Sequence, residues 1–518
     1  MPSPFYTWRS GRAYPGNRVY FWSPTGQLPP FATVDGSNYV SIDSGLSLPA
    51  FPDSTFPTRQ GNDPNNYVMS VDVSSTAMAG TYTLTFKDGV DHTTVRTLTI
   101  IVADRPTATA ANVALADGRA GIQTAIDGGH SPIILAPGDY EIDEFLTLNT
   151  GTPAAVVEID GRGMASFTRL PQSGAYYNQF FSVTNSLTLR GITFRGSQAV
   201  PFQPDNVLVS YPYDPSSFDI NVVGCRFEDC SLGEYYALPD PDTDAGGTLV
   251  ENCEFIRSTI SYVLTGMVVN QCVFRDSSPA GVIPLVVATV DKWLVLNTDF
   301  VRTPRGIYIS SDADGTVQNG VVAACRFYDI AFGDGTGAGE AILFEKYDGG
   351  DNFIQNNAFV WCHLYRCNSS APQLAGGGIN YNFFKFIDSD AAGIGIYPQT
   401  DIVGNVFQNM EVSGIDVRAA PGYDGHTSNN LFNWIVIRQL PLAAGMAEPG
   451  LITSYGYNDP DHNTGLNRYV ATPPVVDTTT PSGTNPANQY LDNFLCYPDR
   501  LEHVFQFPTV PFSENTQT

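Results

Sequence analysis

Cys225-Arg226-Phe227, Cys253-Glu254-Phe255 and Cys272-Val273-Phe274 repeat one tripeptide pattern three times within residues 225–274. Working outward, a phenylalanine that closes an apolar-polar strand recurs at Phe194, Phe227, Phe255, Phe274, Phe300, Phe327, Phe359, Phe384, Phe407 and Phe432, at intervals of 19 to 33 residues. A fixed strand ending at irregular intervals predicts stacked coils joined by loops of variable length. Two residues before these phenylalanines stand Cys225, Cys253, Cys272, Thr298, Cys325, Asn357, Asn382, Asn405 and Asn430. Positions two apart on a strand share a face, so this column is expected to point inward with the phenylalanines. Its cysteines read as free buried thiols and its asparagines as a ladder hydrogen-bonded from coil to coil. No CxxC pair suggests a zinc site instead. A second column, Gly281-Val282-Ile283, Gly306-Ile307-Tyr308-Ile309, Ala341-Ile342-Leu343-Phe344, Gly393-Ile394-Gly395-Ile396 and Gly414-Ile415-Asp416-Val417, gives each coil at least two strands.

On the N-terminal side the pattern changes to hairpins. Thr81-Tyr82-Thr83-Leu84-Thr85-Phe86, a turn at Lys87-Asp88-Gly89, and Thr97-Leu98-Thr99-Ile100-Ile101-Val102 alternate with period two. Ala79-Gly80-Thr81-Tyr82 resembles the tyrosine-corner approach of immunoglobulin-like sandwiches, and residues 19–102 have the length of such a domain. Residues 1–18 read as an arm and residues 103–117 as a linker. Next come Ala120-Gly121-Ile122-Gln123-Thr124-Ala125-Ile126, an amphipathic helix, and the strand-turn-strand Pro132-Ile133-Ile134-Leu135-Ala136-Pro137-Gly138-Asp139-Tyr140-Glu141-Ile142. This order, followed by the rung Ser186-Leu187-Thr188-Leu189-Arg190-Gly191-Ile192-Thr193-Phe194, resembles the opening of pectin-lyase-like proteins. The resemblance implies a right-handed single-stranded parallel β-helix over residues 118–445. The fold class is therefore all-β, an immunoglobulin-like β-sandwich followed by that β-helix, with residues 446–518 as a loop-rich cap or arm.

Composition narrows the partners. Of 518 residues only 15% are charged and 12% aromatic, with 48 Gly and 37 Pro, which suits a turn-rich β-protein and not a coiled coil or disordered chain. Acidic residues outnumber basic ones 52 to 26, and a net charge of −26 repels nucleic acid and anionic lipid. No apolar run reaches the roughly 18 residues of a membrane span, and MPSPFYTWRSGRAYPG contains no stretch of signal-peptide character.

If Ile307, Ile342, Ile394 and Ile415 point inward, then Tyr308, Leu343, Gly395 and Asp416 point outward, followed by Ser310, Glu345, Tyr397 and Arg418. Tyr308, Tyr397, Asp416 and Arg418 are the candidate glycan-binding residues, because flat rings stack on sugar faces while carboxylates and guanidinium bond hydroxyls. Asp312 and Glu345 on adjacent coils are the candidate acid/base pair, since neighbouring rungs supply the carboxylate separations of glycoside hydrolysis. A lyase would instead draw on Lys346 and Arg418. Six scattered histidines without HExxH argue against catalytic zinc. Asp240, Asp242 and Asp244, with Gly246 and Glu251 following, form a candidate structural calcium loop against the plainer reading of a solvated acidic loop; no cofactor is required.

Three function classes fit. One is a virion surface protein resembling phage tailspikes, an expected homotrimer that attaches to other virion proteins through its N-terminal domain and meets a surface polysaccharide. The second is a polysaccharide-degrading enzyme, lyase or hydrolase, of the pectin-lyase-like fold. The third is a non-catalytic adhesin. The missing export signal favours the virion surface over a secreted or cell-surface location.

Overall fold

The computed structural model describes strands between residues 6 and 102, most of residues 108–330, and strands beyond that out to residue 503. It is all-β apart from one α-helix and one short 3-10 turn among the described residues. Two compact units divide it, Met1–Ser47 with Asn62–Asp299, and Leu48–Gly61 with Phe300–Thr518.

In the first unit, eight short strands form two four-stranded sheets. Sheet one runs β1 (Tyr6–Thr7), β3 (Arg18–Trp22), β6 (Val68–Val73), β5 (Val40–Asp43), all antiparallel. Sheet two runs β2 (Arg12–Ala13), β8 (Thr94–Val102), β7 (Gly80–Lys87), β4 (Phe31–Val34), antiparallel except for the parallel pair β2 and β8. Alternation sends Val19, Phe21, Val71, Leu84, Phe86 and Ile100 into one shared core. The Tyr82 hydroxyl donates to the Met78 carbonyl at 2.9 Å, a bond back to the main chain four residues upstream.

The other side of sheet one is not left to water. Tyr20 and Trp22 are buried although they point away from the sandwich core. In the same unit, the Tyr20 hydroxyl and Arg18 Nη1 donate to Glu251 Oε1 at 3.1 and 3.2 Å, and Asn270 Nδ2 donates to both Glu251 Oε1 and the Tyr20 oxygen. Arg18 also bonds Asp72 at 2.6 Å. Sheet one therefore lies against the rungs that carry Glu251 and Asn270.

The helix α1 (Gly118–Asp127) buries Ile122, Ala125 and Ile126. The Pro-Gly-x-Tyr turn that follows is held by the Tyr140 hydroxyl, which donates to Ala136 O at 3.1 Å and Val113 O at 3.2 Å. Gly138 has φ +139°, and a Cβ there would meet the Leu115 side chain at 2.4 Å, so this turn admits only glycine without rearrangement. The last part of the stretch read as linker is already strand, since Ala111–Val113 pairs in parallel with Ile133–Leu135.

From there the strands stack in parallel, rung upon rung, in the manner that fits a parallel β-helix. Ser186–Arg195, Ile220–Val223 with Arg226–Glu228, Thr248–Glu251 with Glu254–Ile256, and Met267–Asn270 with Val273–Arg275 follow in register. Phe194, Phe227, Phe255 and Phe274 stack with ring centroids 5.2, 4.6 and 4.5 Å apart. Each corner is made by a residue with φ near +50 to +60°, Gly224, Asn252, Gln271 and Asn297, directly before Cys225, Cys253, Cys272 and Thr298.

The second unit corrects the expected ladder. Phe327 pairs with Leu364, and Phe359 pairs with Val322, one strand earlier in the coil. The column therefore splits in two. Cys325 sits beside Cys362, each behind a left-handed corner at Ala324 and Trp361, and His363 N donates to Cys325 O. Asn357, Asn382 and Asn405 belong to a different corner, where Asn357 Nδ2 donates to Asn382 Oδ1 and Asn382 Nδ2 to Asn405 Oδ1, both at 3.1 Å. Phe359, Phe384 and Phe407 stack above this second corner at 5.0 and 4.8 Å. Asn430 lies outside the described residues. The thiol half of the expectation stands for the seven described cysteines, all free and buried.

Candidate functional site

The second column of strands positions the predicted glycan face. In the second unit Ile307–Ser310, Ile342–Glu345, Gln373–Gly376, Ile394–Pro398 and Ile415–Arg418 pair in parallel in that order. Tyr308, Leu343, Gln373, Gly395 and Asp416 hold one register position, and Ser310, Glu345, Ala375 and Tyr397 hold another. The rung Gln373–Gly376 was not foreseen, because it lacks the Gly-Ile opening of its neighbours. It sets Glu345 and Tyr397 two rungs apart, about 9.6 Å along the stack.

Tyr308 is half-buried, whereas Leu343 on the next rung is 1% exposed, so the expected solvent-facing position of Leu343 is corrected. Tyr308 stands beside Arg305, whose Cζ lies 5.2 Å from the ring centroid, and Arg305 Nε donates to Glu340 Oε2 at 2.9 Å. A guanidinium held between an aromatic face and a carboxylate is fixed in orientation and able to bond a hydroxyl. Neither Arg305 nor Glu340 was anticipated. Both stand two residues before an inward isoleucine, at Ile307 and Ile342, and aligning the column from that position would have found them.

Asp312 and Lys346 lie outside the described residues, as do Asp240, Asp242 and Asp244. For Glu345, Tyr397, Asp416 and Arg418 the strand positions are described and the side chains are not. Glu251, the last residue of the calcium-loop reading, is engaged with Arg18, Tyr20 and Asn270. Among the described residues no group of three His, Cys, Asp or Glu side chains is placed to hold a metal ion.

Sequence reading also passed over a charged ladder on the first unit's rungs. Arg195 bonds Glu228 at 3.1 Å, Arg226 bonds Glu228 at 2.7 Å and Glu254 at 3.0 Å, and Arg275 bonds Glu254 at 2.7 Å. The hydrogen bonds that Arg275 donates to Glu254 and Asp276 raise its pKa against a smaller burial effect. Each carboxylate accepts from arginines of its own or a neighbouring rung, so this ladder satisfies itself.

Among the interior thiols, Cys225, Cys253 and Cys362 are held protonated by their burial. Burial pushes the Cys225 and Cys253 pKa values well up and that of Cys362 to about 12. Comparison with protein-family models, with curated proteins and with solved structures gave no match.

Proposed function

We propose that this chain is a phage virion surface spike or fibre component, in which an N-terminal immunoglobulin-like domain serves attachment and a right-handed parallel β-helix presents its flank to host surface glycans. The observation that carries the reading is the joining, in one chain, of a two-sheet sandwich to parallel rungs stacked in register. The sandwich orders β1-β3-β6-β5 and β2-β8-β7-β4 correspond to the A-B-E-D and C-F-G arrangement of immunoglobulin domains with an added parallel edge strand, and the Tyr82 bond to Met78 matches their tyrosine corner. Right-handedness follows from the general chirality of parallel crossovers. The net charge of −26 favours a neutral or weakly charged glycan over a polyanion.

The test uses the purified full chain on an array of neutral and uronate-containing oligosaccharides, with reducing ends assayed in parallel. Retention of a neutral oligosaccharide without new reducing ends is the expected result for a binding spike. New reducing ends that vanish in Glu345→Gln would move the chain to the polysaccharide-degrading class. Failure to retain any glycan would remove the glycan-binding part of the reading.

A further inference from the structure

In the second unit, Arg305 and Glu340 stand at the openings of two neighbouring rungs, each two residues before the paired strands Ile307–Ser310 and Ile342–Glu345. The rungs already meet there. Gly306 N donates to Glu340 O at 3.4 Å and Ile307 N to Ala341 O at 2.9 Å. A Cβ at Gly306 would run into the Ala341 carbonyl oxygen and meet the Phe327 ring at 2.6 Å, so the close approach that sets Arg305 beside Glu340 depends on glycine. Two contacts then fix the arginine side chain. Its Nε donates to Glu340 Oε2 at 2.9 Å, and its Cζ lies 5.2 Å from the Tyr308 ring centroid. Glu340 is buried, whereas the Arg305 side chain keeps 25% of its exposure.

Arginine carries five N–H donors, four of them on its terminal nitrogens. On the first unit's rungs the arginines spend terminal donors on carboxylates. Arg257 grips Asp229 through Nε and Nη2 at 2.6 and 2.7 Å, Arg226 reaches Glu254 through Nη1, and Arg275 reaches Asp276 through Nη1. Arg305 spends Nε alone. Among the described residues neither of its terminal nitrogens makes a hydrogen bond, although the guanidinium is held at two points and reaches solvent. A donor pair fixed in advance loses little freedom when a ligand arrives.

The geometry points to Arg305 as the specificity-determining donor of a sugar subsite beside Tyr308, its two terminal nitrogens donating to neighbouring hydroxyl oxygens on one ring of a neutral oligosaccharide, with Glu340 positioning it. The planar fork suits two adjacent acceptors. Glu340 decides which acceptors these are. It already balances the guanidinium charge, so a uronate carboxylate on the same fork would bring a second anion close to Glu340 in a chain of net charge −26. Hydroxyl oxygens carry no such penalty.

This inference rests on the glycan-binding reading above and names the residue that selects the sugar. The experiment measures retention of neutral and uronate-containing oligosaccharides on the array by the full chain and its variants, with urea midpoints confirming that each variant is folded. Arg305→Lys keeps the charge and loses the fork, and should weaken neutral binding roughly tenfold. The double variant Arg305→Gln with Glu340→Gln leaves no charge unpaired and should weaken it at least as much. Glu340→Gln alone leaves the guanidinium charge unbalanced and should raise uronate retention several-fold, a change of preference that loss of packing would not produce. Parental neutral binding by both Arg305 variants, with release in Tyr397→Ala, overturns the subsite while the glycan-binding reading survives. Glu340→Gln with unchanged preference overturns the role of Glu340, and preferential retention of uronates by the parent overturns the ligand class. A parent chain that retains nothing overturns both the subsite and the reading it rests on.

Discussion

At the residue scale, the corners decide how the coils are filled. Gln271, Ala324, Trp361 and Arg302 all adopt φ near +50°, a region that residues other than glycine, asparagine and aspartate seldom visit. After Gln271, Ala324 and Trp361 the next residue is a buried cysteine whose thiol donates to the main chain, as Cys272 Sγ does to Asn270 O at 3.3 Å and Cys325 Sγ to Ala323 O at 3.4 Å. The thiols are thereby both hydrogen-bonded and enclosed. Cys225, Cys253, Cys272 and Cys325 are expected to resist a thiol reagent in the native protein and to react only after denaturation; rapid labelling of all four would contradict the register. The same burial sets a pH dependence. The Cys362 pKa is raised from 9.0 to about 12, so an unfolded chain ionises first and stability falls as pH climbs through that window. Tyr20, also pushed up mainly by burial, acts in the same direction. Urea melts on either side of pH 9 should show the loss, and unchanged midpoints would contradict it.

At the scale of the element, sheet one of the sandwich has two buried faces. Val19 and Phe21 enter its own core, while Tyr20 and Arg18 converge on Glu251. Glu251→Ala removes the acceptor shared by three donors, and each donor left in a partly dry setting loses stability. The expected loss is about 1–3 kcal/mol by chemical denaturation, with faster cleavage of the sandwich in limited proteolysis. A variant as stable and as resistant as the parent would show that the contact contributes little.

Much of this architecture was legible in the chain. Period-two runs located β7 and β8, and the Cys-x-Phe pattern located the first rungs, because both reflect burial of alternate side chains. The splitting of the column was not legible, since Phe327 and Phe359 are spaced like true neighbours while Val322 and Leu364 carry the actual pairing. Nor was the role of Glu251, which depends on a partner more than two hundred residues away.

At the scale of the whole molecule, the proposed spike implies assembly. Parallel stacks leave flanks that three copies can bury against one another under closed cyclic symmetry, so a homotrimer is expected. Light scattering should give three times the chain mass of 56.1 kDa, and a value near 56.1 kDa at all concentrations would count against it.

The bond from Tyr20 to Glu251 also has a consequence in time. Its partners are 231 residues apart, and a ribosome adds roughly 5–20 residues per second. For tens of seconds during synthesis the sandwich strands exist before the rungs that cover them, and Tyr20 and Trp22 face solvent or a chaperone. The aromatic face that becomes interior in the finished chain is, for that interval, an exposed apolar surface of the nascent chain.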